Sequence, residues 1–188
     1  MEPVRCFIAL DLPPELSKML SAVSGELAQD LPSVRWVKPG NHHLTLRFLG
    51  DVEAGRLNCA GQAVDTAVAG HRVLKIGLGE IGGFPGRSRA KVIWQGIYGD
   101  VDELAALQRD LAGELEQCGF EQESRPFRPH LTLGRSRRPV SLPPYHEADP
   151  TGRFELSSVS LIRSVLGKGG AQYTALHTAA LRKWDRSS

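Results

Sequence analysis

The tetrapeptide His-Leu-Thr-Leu stands at His43–Leu46 and again at His130–Leu133, each copy placing an imidazole two residues before a hydroxyl. With 6 His and 6 Thr in 188 residues, chance supplies roughly 0.2 His-x-Thr pairs. Two copies, identical even at the intervening Leu, ask for a cause. On a β-strand residues i and i+2 share a face, so each His and Thr project together while the leucines enter a core. The run His43–Phe48 alternates for six residues, and Pro129 precedes His130 where a strand start tolerates a missing amide donor. Two facing imidazoles suit the opening of a phosphodiester by in-line attack, one as base and one as acid. Their ordinary pKa near 6.5 lets one be neutral and one protonated, each proton transfer being worth about 10²- to 10⁴-fold. Threonine hydroxyls from both sides would hydrogen-bond the non-bridging phosphate oxygens.

The elements that must position these residues follow from periodicity. Val4–Leu10 reads as a strand. Asp11, Pro13 and Pro14 resemble a helix start before Leu16, Met19, Leu20, Val23 and Leu27 at helical spacing. A short strand at Val34–Val37 leads to the first motif. A helix over Ala54–Ala69 follows, stopped by Gly70, and then strands at Arg72–Leu78 and Ala90–Ile97 joined by a Gly- and Pro-rich loop from Gly82 to Arg89. The second half restarts this grammar. Asp100 and Glu103 form a capping-box pattern, Leu104, Leu107, Leu111 and Leu115 a helical stripe, and Gly119 a stop before the second motif. A loop over Ser136–Gly152 then precedes a hairpin from Phe154–Ile162 and Gln172–Leu181. The motifs start 87 residues apart, close to half the chain. The fold class is therefore α+β: residues 1–188 form a single bilobal domain of two pseudo-symmetric, interleaved lobes, each an antiparallel sheet with flanking helices and one motif strand facing a central cleft.

Composition bounds the setting. No apolar stretch approaches the roughly 20 residues that span a bilayer, and the start lacks a signal-peptide pattern, so no membrane association and a cytoplasmic location are expected. Cys6, Cys59 and Cys118 are odd in number and widely spread, which argues for reduced, structural thiols. The net charge of +2 leaves any polyanion to local basic clusters. A zinc site on His43 and His130 is disfavoured, because no Cys or carboxylate stands at ligand spacing and threonine is a poor zinc ligand. Neither metal nor cofactor is required, and a monomer is the default.

Several segments carry a resemblance. Arg35-Trp36-Val37-Lys38 leading into His43–Gly50, and Arg125–Arg135 around the second motif, are similar to the RNA 2′,3′-cyclic phosphodiesterases of the 2H phosphoesterase superfamily, long called 2′-5′ RNA ligases. Arg5–Leu10, Phe84-Pro85 with Val92-Ile93-Trp94, and Ser164-Val165-Leu166 with Tyr173 extend the likeness over nearly the whole chain. The resemblance implies a bilobal α+β fold and metal-independent hydrolysis of a terminal 2′,3′-cyclic phosphate to a 2′-phosphomonoester. It assigns His43 as proton donor to the leaving 3′ oxygen and His130 as proton acceptor activating water. Thr45 and Thr132 become phosphate-binding hydroxyls, and Arg135 an arginine near the phosphate, where a guanidinium fork makes physical sense; otherwise Arg135 is a solvated charge.

His42 falls on the opposite face from His43 and Thr45, which makes it surface or lobe packing. His71, His146 and His177 receive no chemistry. The basic clusters Arg87, Arg89, Lys91 and Arg135, Arg137, Arg138 are candidates for contacting RNA phosphates or serve solubility. Trp36, Phe48 or Phe84 would stack on a base or fill the core. The implied partner is RNA ending in a 2′,3′-cyclic phosphate, tRNA fragments among the candidates. Two alternatives stay open: a 2′-5′ RNA ligase, in which a 5′-hydroxyl end replaces water in the reverse reaction, and a non-catalytic nucleotide- or RNA-binding module. Two intact His-x-Thr copies count against the latter, since pure binding does not require both histidines.

Overall fold

The computed structural model describes residues 2–144, 152–167 and 170–184. Along them run β1 (Val4–Leu10), α1 (Pro14–Asp30), β2 (Arg35–Trp36), β3 (Leu44–Val52), α2 (Ala54–Ala69), β4 (Leu74–Phe84), β5 (Ala90–Gly99), α3 (Val101–Gln117), β6 (Leu131–Val140), β7 (Phe154–Leu156), β8 (Ser158–Gly167) and β9 (Gly170–Ala180), with one 3₁₀ turn at Arg87–Arg89. They form two antiparallel sheets, ordered β3-β1-β8-β9 and β2-β6-β5-β4-β7. The architecture is α+β, with one motif strand in each sheet, as the sequence predicts.

The apolar patterns explain the packing. β1 is apolar almost throughout because it lies between β3 and β8 and is covered on both faces. Ile8 and Leu10 enter the main core, while Phe7 and Ala9 join Ile162 in a second cluster against Tyr173. In α3 the stripe Leu104, Leu107, Leu111 and Leu115 is fully buried, at the spacing that puts one face of a helix inward. The main cluster is continuous from Ile8 in the first sheet to Ile76 and Leu131 in the second, so the two sheets share one interior.

Each motif strand carries one residue more than its neighbour at the same motif position. In β3 the pairing steps from Ala9↔Thr45 to Ile8↔Arg47, which leaves Leu46 unpaired. In β6 it steps from Trp94↔Thr132 to Ile93↔Gly134, which leaves Leu133 unpaired. Such bulges reverse the alternation beyond them. The six-residue alternation expected over His43–Phe48 is therefore broken. Arg47, which simple alternation puts beside Thr45, is 7% exposed and gives its guanidinium to the Glu121 carbonyl and to Glu123.

Other expectations need correction. Cys59 and Cys118 are disulfide-bonded, with Cα atoms 5.8 Å apart where α2 packs on α3, and only Cys6 is a free, buried thiol. A partner 59 residues away leaves no local sequence signal. Asp100 makes no capping bond; its carboxylate accepts the Lys75 amide at 2.7 Å, because α3 starts directly against β4. Asp11 likewise accepts the hydroxyls of Ser158 and Ser160, each at 2.7 Å, and Pro13 takes the cap position. The Gly82–Arg89 loop is shorter than expected, since Gly82–Phe84 continue β4. A Cβ on Gly82 would lie 2.2 Å from the Trp94 ring of the paired strand, so glycine there admits the indole. The Ser136–Gly152 loop is also shorter, because β6 runs to Val140; its portion over 145–151, including His146, lies outside the described residues. The final hairpin is preceded by a sheet switch, with β7 on β4 and β8 on β1.

A cross-link closing 59 residues stabilises by about 4 kcal/mol in the chain-entropy account. Reduction, or Cys59→Ser, is expected to lower the unfolding free energy measured in urea by about 2–5 kcal/mol. Identical urea curves for oxidised and reduced protein would contradict a disulfide in solution.

Candidate active site

His43 and His130 stand immediately before β3 and β6, and both rings are tethered alike. His43 Nδ1 lies 2.9 Å from the Asn41 carbonyl, and His130 Nδ1 lies 2.6 Å from the Arg128 carbonyl. A backbone carbonyl can only accept, so in each ring Nδ1 carries the proton. That leaves Nε2 to accept a proton when the ring is neutral and to donate one when it is charged. Identical tethers thus prepare both imidazoles for proton transfer through the same atom.

A cleft of about 500 Å³ lies between the sheets. His43, Thr45 and Phe48 line it from β3 and its approach, Thr132 and Arg135 from β6, and Tyr173 from β9. His130 does not itself line this volume, but it shares the strand face of Thr132, and its charge is among the causes that lower the pKa of His43. The bulges decide the membership. Beyond Leu46 the cleft receives Phe48 in place of Arg47, and beyond Leu133 it receives Arg135 in place of Gly134.

Each imidazole is packed by aromatic rings. His43 lies 4.5 Å from Phe7 and edge-on to Tyr173 at 5.3 Å. His130 is edge-on to Phe84 at 5.2 Å, with Trp94 at 6.4 Å. Burial pushes both histidines below the ordinary range; the tethers to Asn41 and Arg128 oppose this, and the Arg135 cation adds to it. Burial raises the Tyr173 phenol, with Arg135 opposing. One guanidinium thus acts on both histidines and on Tyr173. His42 faces away, buried with neither ring nitrogen hydrogen-bonded, and is pushed down to about 4 by burial and by His43.

Of the five site residues expected, the structure gathers His43, Thr45, Thr132 and Arg135 around one cleft and sets His130 beside it. Phe48 is 57% exposed and available to a ligand, whereas Trp36 and Phe84 pack among neighbours. Of the basic clusters, Arg87 is spent on the carbonyls of Ile81 and Pro143. Arg137 is exposed two residues past Arg135, with the buried Ser136 between them. His71 and His177 bond to Asp110 at 2.7 Å and Asp65 at 2.8 Å, and neither lines the cleft. Sequence reasoning missed Phe7, hidden in an unbroken apolar run, and Asn41, whose signal was the turn-forming Pro39-Gly40 beside it. Among the described residues no group of three or more His, Cys, Asp or Glu could hold a metal ion, and no helix is long and apolar enough to cross a membrane.

Comparison with known proteins identifies the family of the chain. Residues 41–168 match the 2′-5′ RNA ligase superfamily. The RNA 2′,3′-cyclic phosphodiesterase of Methanothermobacter thermautotrophicus is 33% identical over 95% of this chain and 99% of its own length. That of Escherichia coli is 30% identical over 96% and 98% respectively. The crystal structure of E. coli LigT in its apo form superposes with a TM-score of 0.77 at 28% identity, covering 97% of this chain and 99% of that one. With both motifs inside the matched segment and the likeness running nearly end to end, the chain belongs to the 2′-5′ RNA ligase superfamily.

Proposed function

We propose that the protein hydrolyses RNA 2′,3′-cyclic phosphate ends, as the names of its relatives suggest, and leaves 2′-phosphomonoesters. The observation that carries the reading is the pair of Nδ1-tethered imidazoles at the starts of strands in two sheets, each two residues before a threonine, with one arginine whose charge acts on both. His130 Nε2 takes a proton from water as its oxygen attacks phosphorus. The bond from phosphorus to the 3′ oxygen breaks, and His43 Nε2 delivers the proton that oxygen needs. Thr45 and Thr132 hydroxyls and the Arg135 guanidinium hold the non-bridging oxygens as charge shifts onto them. Phe48 offers its exposed ring to the terminal base. The exposed Arg137, close in sequence to Arg135, adds positive charge for the backbone phosphates of the strand. The reverse reaction, with a 5′-hydroxyl RNA end as nucleophile in the ligation direction, uses the same groups; bulk water favours hydrolysis.

Incubation with an oligonucleotide ending in a 2′,3′-cyclic phosphate should yield the 2′-phosphate. His43→Ala and His130→Ala should each reduce turnover by at least about 10²-fold, with EDTA without effect. Near wild-type turnover in either variant overturns the assignment, and a 3′-phosphate product would mean that the 2′ oxygen leaves in place of the 3′ oxygen.

The pH dependence has a definite sign. The base His130 works once deprotonated and the acid His43 only while protonated, and both titrate below the ordinary range. Both limbs of the free-enzyme profile of kcat/KM therefore lie below about pH 6.5. Bound anionic phosphate favours the imidazolium, so the kcat profile should be centred at higher pH. Arg135→Gln removes a cation that lowers both histidines; it should move both kcat/KM limbs upward and raise KM. Limbs unmoved by that substitution would contradict the electrostatic role.

Arg137→Ala should raise KM for an oligonucleotide, reduce the salt slope by about one, and leave a cyclic mononucleotide unaffected. Equal effects on both substrates would exclude a contact beyond the terminal nucleotide.

A further inference from the structure

We propose that Asn41 is a positioning residue that ties the β8–β9 hairpin to the ring orientation and tautomer of His43. Lys38-Pro39-Gly40-Asn41 forms a turn closed by the Asn41 amide donating to the Lys38 carbonyl at 3.0 Å. Pro39 suits its second position and Gly40, with φ of +82°, its third, the pattern of a type II turn. Asn41 then bonds in two directions. Its side-chain Nδ2 donates to the Ala171 carbonyl at 2.9 Å, across 130 residues, while its own carbonyl accepts Nδ1–H of His43 at 2.9 Å. The other corner of the turn touches the same strand, since the Lys38 side chain lies alongside Gly170, where an added Cβ would sit 3.4 Å from Cε.

The hairpin held this way faces the cleft. Tyr173 meets the His43 ring edge-on, and Leu166, 71% exposed, lines the cleft wall. Any residue at position 41 keeps the carbonyl that His43 needs. Only a side-chain donor of this reach keeps residue 41 against Ala171 and so keeps that carbonyl aimed at the ring. Without it the turn loses its hydrogen bond to the hairpin, and the neutral imidazole is free to move its proton to Nε2, which then cannot accept. The second motif manages without such a tie, because Pro129 restricts Arg128 to the extended region from which its carbonyl meets His130. First and second motifs thus hold one ring geometry by different means.

This inference rests on the reading of His43 as an acid-base group, and its test separates the two. Wild-type, Asn41→Ala, Asn41→Asp and Asn41→Gln proteins are compared by two-bond ¹H–¹⁵N spectra of the histidine rings at a pH where they are neutral, and by kcat on an oligonucleotide with a 2′,3′-cyclic phosphate end. The wild-type His43 ring should be the Nδ1–H tautomer. Asn41→Asp preserves shape but cannot donate to Ala171, so it and Asn41→Ala should show a mixture of tautomers and about a tenfold loss in kcat, with Asn41→Gln recovering part of both. An unchanged His43 tautomer in Asn41→Asp, whatever its turnover, overturns the proposal. Absence of turnover in the wild type would instead overturn the reading of the reaction and leave the tautomer result to judge the tie.

Discussion

A pleated strand turns one residue in two toward a cleft, and the contents of this cleft depend on that rule being broken inside each motif. His and Thr of each motif are in phase, two residues apart. Arg135 is three residues past Thr132 and out of phase, as Phe48 is with Thr45. The unpaired Leu46 and Leu133 restore both to the cleft side. Without the bulges the cleft would be offered Arg47 and Gly134, while Arg135 would be turned inward, where an unpaired guanidinium costs several kcal/mol. The buried Arg47 shows the other side of the trade, needing the Glu121 carbonyl and Glu123 to receive its charge.

With Arg135 brought in, the cleft gathers positive charge and little to balance it. Arg5 and Arg135 line it, and among the described residues no carboxylate does. Burial and the Arg135 cation together make the charged histidine unfavourable. An anion of the size of a phosphodiester reverses this balance, since it relieves the guanidinium and favours an imidazolium beside it. The aromatic rings around each histidine keep this exchange from becoming a loss of geometry, because Phe7 and Tyr173 on one side and Phe84 and Trp94 on the other confine rings whose Nδ1 is already held.

What could be read from the sequence was what depends on neighbours along the chain. The same-face relation of His43 with Thr45, the opposite facing of His42, the leucine stripe of α3 and the stops at Gly70 and Gly119 all follow from local period and local backbone preference. What could not be read depends on a second strand or helix. A bulge exists only relative to a partner, so the inward turn of Arg47 was invisible. The Cys59–Cys118 bond, the loss of Asp100 and Asp11 from capping, and the bond from Asn41 to Ala171 join segments with no local signal connecting them. Arg135 is the instructive case: resemblance pointed to it, while strict alternation pointed away, and the bulge reconciles the two.

Two identical tetrapeptides do not by themselves distinguish acid from base, and the proposed division of roles rests on their surroundings. The bulges place Phe48 and Arg135 at equivalent positions beyond the two motifs, five residues after His43 and His130 respectively. An aromatic face suits a nucleobase and a guanidinium suits a phosphate. With the base on Phe48, as proposed, the ribose lies on the side of His43, and the 3′ oxygen that leaves remains attached to that ribose. In-line displacement requires the entering water on the far side of phosphorus, which is the side of His130 and Arg135. On the proposed reading, the donor role of His43 and the acceptor role of His130 correspond to one difference between the halves, an aromatic ring where the other has a cation.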